Sequence, residues 1–236
     1  DQFERAHPDL GWLPASVHPK SMAHKAERSL KGRRPVLMYG DSFAECVVPA
    51  EDCWETLLDE SPLAEDLYML NFGSCAFGLD QIVLLLEHSV DRYLCEEPVV
   101  VIGLFVDEDI DRCSLTFRGH PKPKVTEGQS GFSWEFPGEV SSDEWLEAHP
   151  PEVTSYLGRL FKTSELLPRA WGEEEKVREI ALKQRRATWL LERARDVLRE
   201  RELEHFVVLF HSERLAMGRE GRSWREAFLI RTLEEL

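Results

Sequence analysis

Pro35-Val36-Leu37-Met38-Tyr39-Gly40-Asp41-Ser42 joins a short apolar run to a Gly-Asp-Ser turn, and a stretch with helical character follows. The run predicts a parallel strand with a serine hydroxyl at its C-terminal end. Open α/β sheets hold their chemistry at that edge.

Working outward from this strand, the chain alternates. A helix is expected over about 51–60, with Trp54, Leu57 and Leu58 at helical spacing. Leu67 to Asn71 reads as a second strand, closed by Gly73. A second helix is expected over about 79–94, with Leu79, Ile82, Val83, Leu86, Val90 and Leu94 on one face. Val99 to Phe105 is nearly all apolar, as in a strand covered on both faces of a parallel sheet. Residues 114–175 break the rhythm with Pro121, Pro123, Pro137, Pro150, Pro151 and Pro168 and a hairpin around Gly128 to Phe136. They read as an insertion or lid, with a short helix near 152–161. Val177, Ile180, Ala181, Gln184, Ala187, Leu191, Ala194 and Leu198 then mark a long amphipathic helix. Phe206 to Phe210 forms a fourth strand ending at His211, and a helix runs from about Trp224 to Leu236.

Residues 1–30 are polar and irregular, with Gly11-Trp12-Leu13-Pro14 as the one anchor-like cluster, and read as an arm across the domain. The expectation is therefore an arm over 1–30 and one α/β domain over 31–236. That domain is a three-layer α/β/α fold on a flavodoxin-like parallel sheet, with an insertion after the third strand. A fifth strand normally follows the last helix in such a fold.

A chain of 236 residues can bury a core of this kind without covalent staples. Lysine plus arginine is 29 and aspartate plus glutamate is 44, a net charge of −15. Phosphate backbones and anionic lipid are repelled by such a surface, so no nucleic-acid partner is expected. The acidic residues are spread along the chain, as on a solvated surface. Five cysteines are present without a Cys-x-x-Cys pair or a zinc-like spacing, and no metal is expected. Their odd number points to a reducing compartment. Cys75 and Cys95 read as small buried hydrophobes. No stretch is apolar enough to be a transmembrane segment. The first residue is aspartate, so a removed leader or an upstream anchor, and with it a cell-envelope location, stays open. Glycine-rich dinucleotide and phosphate loops, His-Glu-x-x-His and Gly-x-Ser-x-Gly are all absent, and no cofactor is expected.

Several blocks together resemble the SGNH, or GDSL-like, hydrolase family, in a bacterial branch with an N-terminal Asp-Leu-Gly-Trp arm. Asp9-Leu10-Gly11-Trp12 is similar to that arm, and Gly40-Asp41-Ser42-Phe43-Ala44 to the nucleophile block. Val47 to Leu57, with Glu51 and Trp54, follows the helix found there. Asn71-Phe72-Gly73 and Phe77-Gly78-Leu79-Asp80-Gln81 resemble the second block. Phe105 to Arg112 sits where the third belongs, and Lys122-Pro123-Lys124 echoes a Lys-Pro element. The likeness covers roughly residues 9–125, and 176–236 only as topology.

The resemblance implies a serine esterase, deacylase or O-acyltransferase acting on a small ester or an acylated carbohydrate. Ser42 would be its nucleophile. The Ser42 and Gly73 amides would hold the oxyanion, aided by a helix N-terminus. On the residues alone, Ser42 could equally cap a helix and Gly73 end a strand.

Two pieces of the pattern are missing. The third block should supply an oxyanion asparagine, but Asn71, the one asparagine, already sits in the second. Asp107 or Glu108 takes the third-block position. An ionised carboxylate there repels an oxyanion, and a protonated one can donate to it. The acidic run Asp107, Glu108, Asp109 and Asp111 also allows a cation site, or a solvated loop with Arg112 as its local counter-charge. Second, the resemblance calls for a histidine three residues after an aspartate beyond the last helix, and neither residue type follows His211. Either the C-terminal strand and Asp-x-x-His block lie beyond this sequence, or the protein lacks them. His211 ends a predicted strand at the correct edge, where it could serve as a substitute base, orient a substrate, or be a satisfied edge residue. His88 and His205 read as structural, and His120 and His149 fall in the insertion. The other outcome is a catalytically inactive SGNH-fold module that binds a carbohydrate or protein partner. Trp134 and Trp145 would then offer aromatic surface, or else pack the insertion onto the core.

Overall fold

The computed structural model describes residues 4–14, 17, 32–113, 116–117, 120–138, 140–148, 173–212 and 223–236. The protein is a mixed α/β chain built on a four-stranded, all-parallel sheet. Its strands are β3 (Arg34–Tyr39), β4 (Leu67–Asn71), β5 (Val99–Phe105) and β10 (Glu204–Phe210), in the order β10-β5-β3-β4. The strand leading to Gly-Asp-Ser is therefore interior, flanked by β4 and β5.

Registers pair Leu37 with Val100 and Leu70, Tyr39 with Ile102, and Leu104 with Leu209. Side chains alternate along a strand, so these residues share one face. That face is the main core. It receives Ile82, Val83 and Leu86 of helix α3 (Leu79–Ser89), and Leu190, Leu191 and Leu198 of the 28-residue helix α5 (Glu173–Glu200). Phe228 and Leu229 of helix α6 (Trp224–Glu235) complete it. The other face carries Met38, Phe206, Val208 and Phe210. It is covered near Phe210 by Phe43 and Trp54, whereas Phe206 is 55 % exposed and Val208 39 %.

The expected helices hold with altered ends. Residues 50–52 form a 3₁₀ turn before helix α2 (Trp54–Asp59). Helix α3 stops at Ser89, and Val90–Glu96 continues as 3₁₀. Between β5 and α5 lie two small antiparallel pairs, β6 (Thr116–Phe117) with β7 (His120–Pro121) and β8 (Lys124–Gly128) with β9 (Gly131–Glu135). Helix α4 (Ser142–Ala148) follows. The expected helix near 152–161 lies outside the described residues.

The N-terminal segment departs from the irregular arm read in the sequence. Strands β1 (Glu4–His7) and β2 (Gly11–Pro14) make a hairpin whose Leu10, Trp12 and Leu13 are buried in the core. Trp12 meets Phe77 edge-on, and Gln81 Nε2 donates to the Leu10 carbonyl at 2.7 Å. A short polar-looking segment becomes a hairpin here because its partners are tertiary.

Candidate active site around Ser42

Ser42 is the first residue of α1 (Ser42–Glu45), a single helical turn that leaves the C-terminal end of β3. Asp41 caps that turn, its Oδ1 accepting from Phe43 N at 2.9 Å. Ser42 is half-buried, and its hydroxyl makes no hydrogen bond to another described residue. A serine presented in this way can approach a solvent-borne carbonyl, and the helix N-terminus favours negative charge beside it.

Under the turn lies a buried ionic network that joins the nucleophile block, Asp80 of the second block, the third block and the Lys-Pro element. Asp41 is fully buried, and its Oδ2 accepts from Arg112 Nη1 at 2.8 Å. Arg112 also donates to Asp109 Oδ1 at 3.2 Å, the Phe77 carbonyl at 3.2 Å and Glu108 Oε2 at 2.5 Å. Lys122, with no exposed surface, donates to Asp80 Oδ1 at 2.9 Å and to the Arg112 carbonyl at 2.5 Å. Charges are buried only when paired and hydrogen-bonded.

Three buried carboxylates (Asp41, Asp80, Asp109) thus meet two buried cations (Arg112, Lys122). The surplus negative charge falls on Asp109. Burial first, and then the Asp41 carboxylate, push its carboxyl well above the ordinary aspartate range. Asp80 moves up as well, through burial, with Lys122 working against it.

Neither Asp107 nor Glu108, the two candidates for the third-block position, is buried. Asp107 is half-exposed, and Glu108 is exposed and paired with Arg112. Asp109 instead turns inward, its Oδ2 accepting from Phe105 N at 2.7 Å. Arg112 is accordingly a buried keystone and not a counter-charge in a solvated loop. Among the described residues no cluster suited to a metal ion exists.

Gly73 packs directly on the Ser42 helix. A methyl group there would sit 2.5 Å from the Ala44 carbonyl carbon, so only glycine permits this approach. Its amide, however, donates to Asn71 Oδ1 at 2.8 Å, while Asn71 Nδ2 donates to the Ala44 carbonyl at 2.9 Å. The asparagine staples the end of β4 to α1 and occupies the amide expected to face an oxyanion.

His211 follows β10 directly and is half-buried, with a buried Nδ1 that has no partner among the described residues. Two strand spacings, about 10 Å, separate β10 from the Ser42 strand. The rim between them is filled by aromatics. Phe43 stacks on Phe105 and Phe210 at 4.5 and 5.5 Å, and Trp54 Nε1 donates to the Phe43 carbonyl at 3.1 Å.

His88 sits on α3 near Asp9, and His205 lies on β10, with its Nδ1 near the Leu203 carbonyl. His149 lies outside the described residues. Trp134 packs on Trp189 of α5, and Trp145 is buried, so neither forms an open aromatic platform. Cys75 and Cys95, expected inside, are exposed: Cys75 lies in the turn between β4 and α3, and Cys95 near the end of the 3₁₀ stretch.

Sequence reasoning missed the Asp41–Arg112–Asp109 linkage. The residues are 71 positions apart at its widest contact, and no linear pattern marks them. No protein-family model matches this chain, and no match is found among curated proteins.

Proposed function

We propose that the protein is an SGNH-like serine esterase, deacylase or O-acyltransferase that acts through Ser42 on a small ester or an acylated carbohydrate. The observation that carries this reading is the placement of Ser42. It stands at the C-terminal end of an interior parallel strand, at the head of a helical turn, with a hydroxyl that has no hydrogen-bond partner among the described residues and a turn fixed by Asp41 and Arg112. The strand order supports a flavodoxin-like, three-layer α/β/α sheet, with 114–175 as the insertion after its third strand.

In the reaction, Ser42 Oγ attacks the acyl carbonyl, and its proton passes to a base. That base is a histidine outside the described residues, or His211 once the Phe43–Phe105–Phe210 stack between it and Ser42 opens. The Ser42 main-chain amide favours the oxyanion, the Phe43 amide being held by Asp41. The Gly73 amide joins it once released by Asn71 Oδ1. Water or a sugar hydroxyl then takes the acyl group.

One observation favours a second reading, an inactive module of the same fold that binds a carbohydrate or protein. The Gly73 amide is already committed to Asn71. Labelling with a serine-directed fluorophosphonate separates the two. Label on the wild type that vanishes in Ser42→Ala supports the enzyme. No label on the wild type supports the module, and label that persists in Ser42→Ala removes Ser42 from either mechanism.

A further inference from the structure

The segment between α1 and α2 begins and ends on cysteine. Cys46 is the C-cap of α1, in the left-handed conformation at φ 64°, and its amide closes on the Ser42 carbonyl. Cys53 is the N-cap of α2. Between them Val47, Val48, Pro49, Ala50, Glu51 and Asp52 are all exposed. The loop folds back so that each thiol touches the backbone beside the other cysteine. Cys53 Sγ lies 3.1 Å from the Cys46 carbonyl oxygen, and Cys46 Sγ lies 3.8 Å from that of Asp52. Burial first, and then the side-chain hydrogen bond with Cys53, raise the Cys46 thiol to about 11. Cys46 is therefore a protonated thiol at rest.

We propose that Cys46 and Cys53 are an oxidisable pair that closes to a disulfide, pinning the C-cap of the Ser42 turn to the N-cap of the next helix. The half-exposed Cys46 is the sulfur a small disulfide reaches first, since Cys53 is buried. With glutathione disulfide as oxidant, the Cys46 thiolate attacks one glutathione sulfur and releases one glutathione thiol. The Cys53 thiolate then attacks Cys46 Sγ in the mixed disulfide and releases the second. Two electrons pass to the glutathione disulfide, and the two thiol protons leave with the products. The pair stands apart from any chemistry at Ser42.

The full-length chain is incubated in its native state with graded glutathione disulfide, quenched in acid, alkylated, digested without reduction and read by mass spectrometry. The exposed Cys75 and Cys95 report in the same sample that oxidant is active. The expected product is a Cys46–Cys53 linked peptide, lighter than the dithiol by two hydrogen atoms. It persists in Cys75→Ser and Cys95→Ser, and Cys46→Ser and Cys53→Ser each abolish it. Glutathione on Cys75 and Cys95 while Cys46 and Cys53 stay alkylatable, or join other cysteines, overturns the proposal. The decisive measurement uses the wild type, so a variant that fails to fold does not obscure it.

Discussion

Arg112 Nη1 lies 2.8 Å from Asp41 Oδ2, a buried ion pair joining the residue before Ser42 to the loop after β5. Removing the guanidinium strands Asp41 and Asp109 in the interior. Arg112→Ala should lose about 3–5 kcal/mol of stability, the usual cost of breaking a buried pair from one side. Arg112→Lys should recover part of it, because one ammonium cannot at once meet Asp41 and Asp109, as Nη1 does, and Glu108, as Nη2 does. Urea unfolding of the three proteins checks this, and a loss under 1 kcal/mol (about one exposed pair) would rule out the keystone role.

Stability should fall as pH rises through the range set by Asp109. Its folded carboxyl is held above the ordinary value of 3.8, by burial and then by Asp41. Between that value and the raised one, the folded state keeps a proton that the unfolded chain has lost. The contribution is full below 3.8. It declines by up to about 1.4 kcal/mol per pH unit across the window and is gone above the folded value. Asp80 adds in the same direction. Urea midpoints from about pH 4 to 8 should show the decline, and Asp109→Asn should flatten it.

Gly73→Ala should disturb both folding and Ser42. The added methyl meets the Ala44–Glu45 backbone, which cannot swing aside as a side chain would. A loss of about 1–3 kcal/mol or more is expected. Thermal unfolding measures it, and an unchanged Tm would mean that α1 is loosely held.

Ser42→Ala should be silent for stability. The hydroxyl has no partner among the described residues, so unfolding free energy should stay within about 0.5 kcal/mol of wild type. A larger loss would give this serine a structural hydrogen bond and weaken the case for a nucleophile.

The strands and helices that position Ser42 were legible because their signals are local. Leu67–Asn71 and Val99–Phe105 are continuous β-type runs, and the structure reproduces both ranges. The long helix ending near Leu198 was readable from its apolar stripe. What stayed hidden depends on distant partners. Leu10 and Trp12 are core residues only because Gln81 and Phe77 receive them. Arg112 looks like a surface charge until Asp41 is placed beneath it. The Asn71 contact with Gly73 was unreadable too, since two neighbours in a turn can pair with each other or with a ligand.

The hairpin over Glu4–Pro14 also constrains the order of assembly. Its acceptor at Leu10 is met by Gln81, and only glycine fits at position 11, because the Pro121–Lys122 backbone abuts it. During synthesis these early residues must wait until more than a hundred later ones have left the ribosome. For that interval Trp12 and Leu13 are unsheltered apolar surface, open to a chaperone.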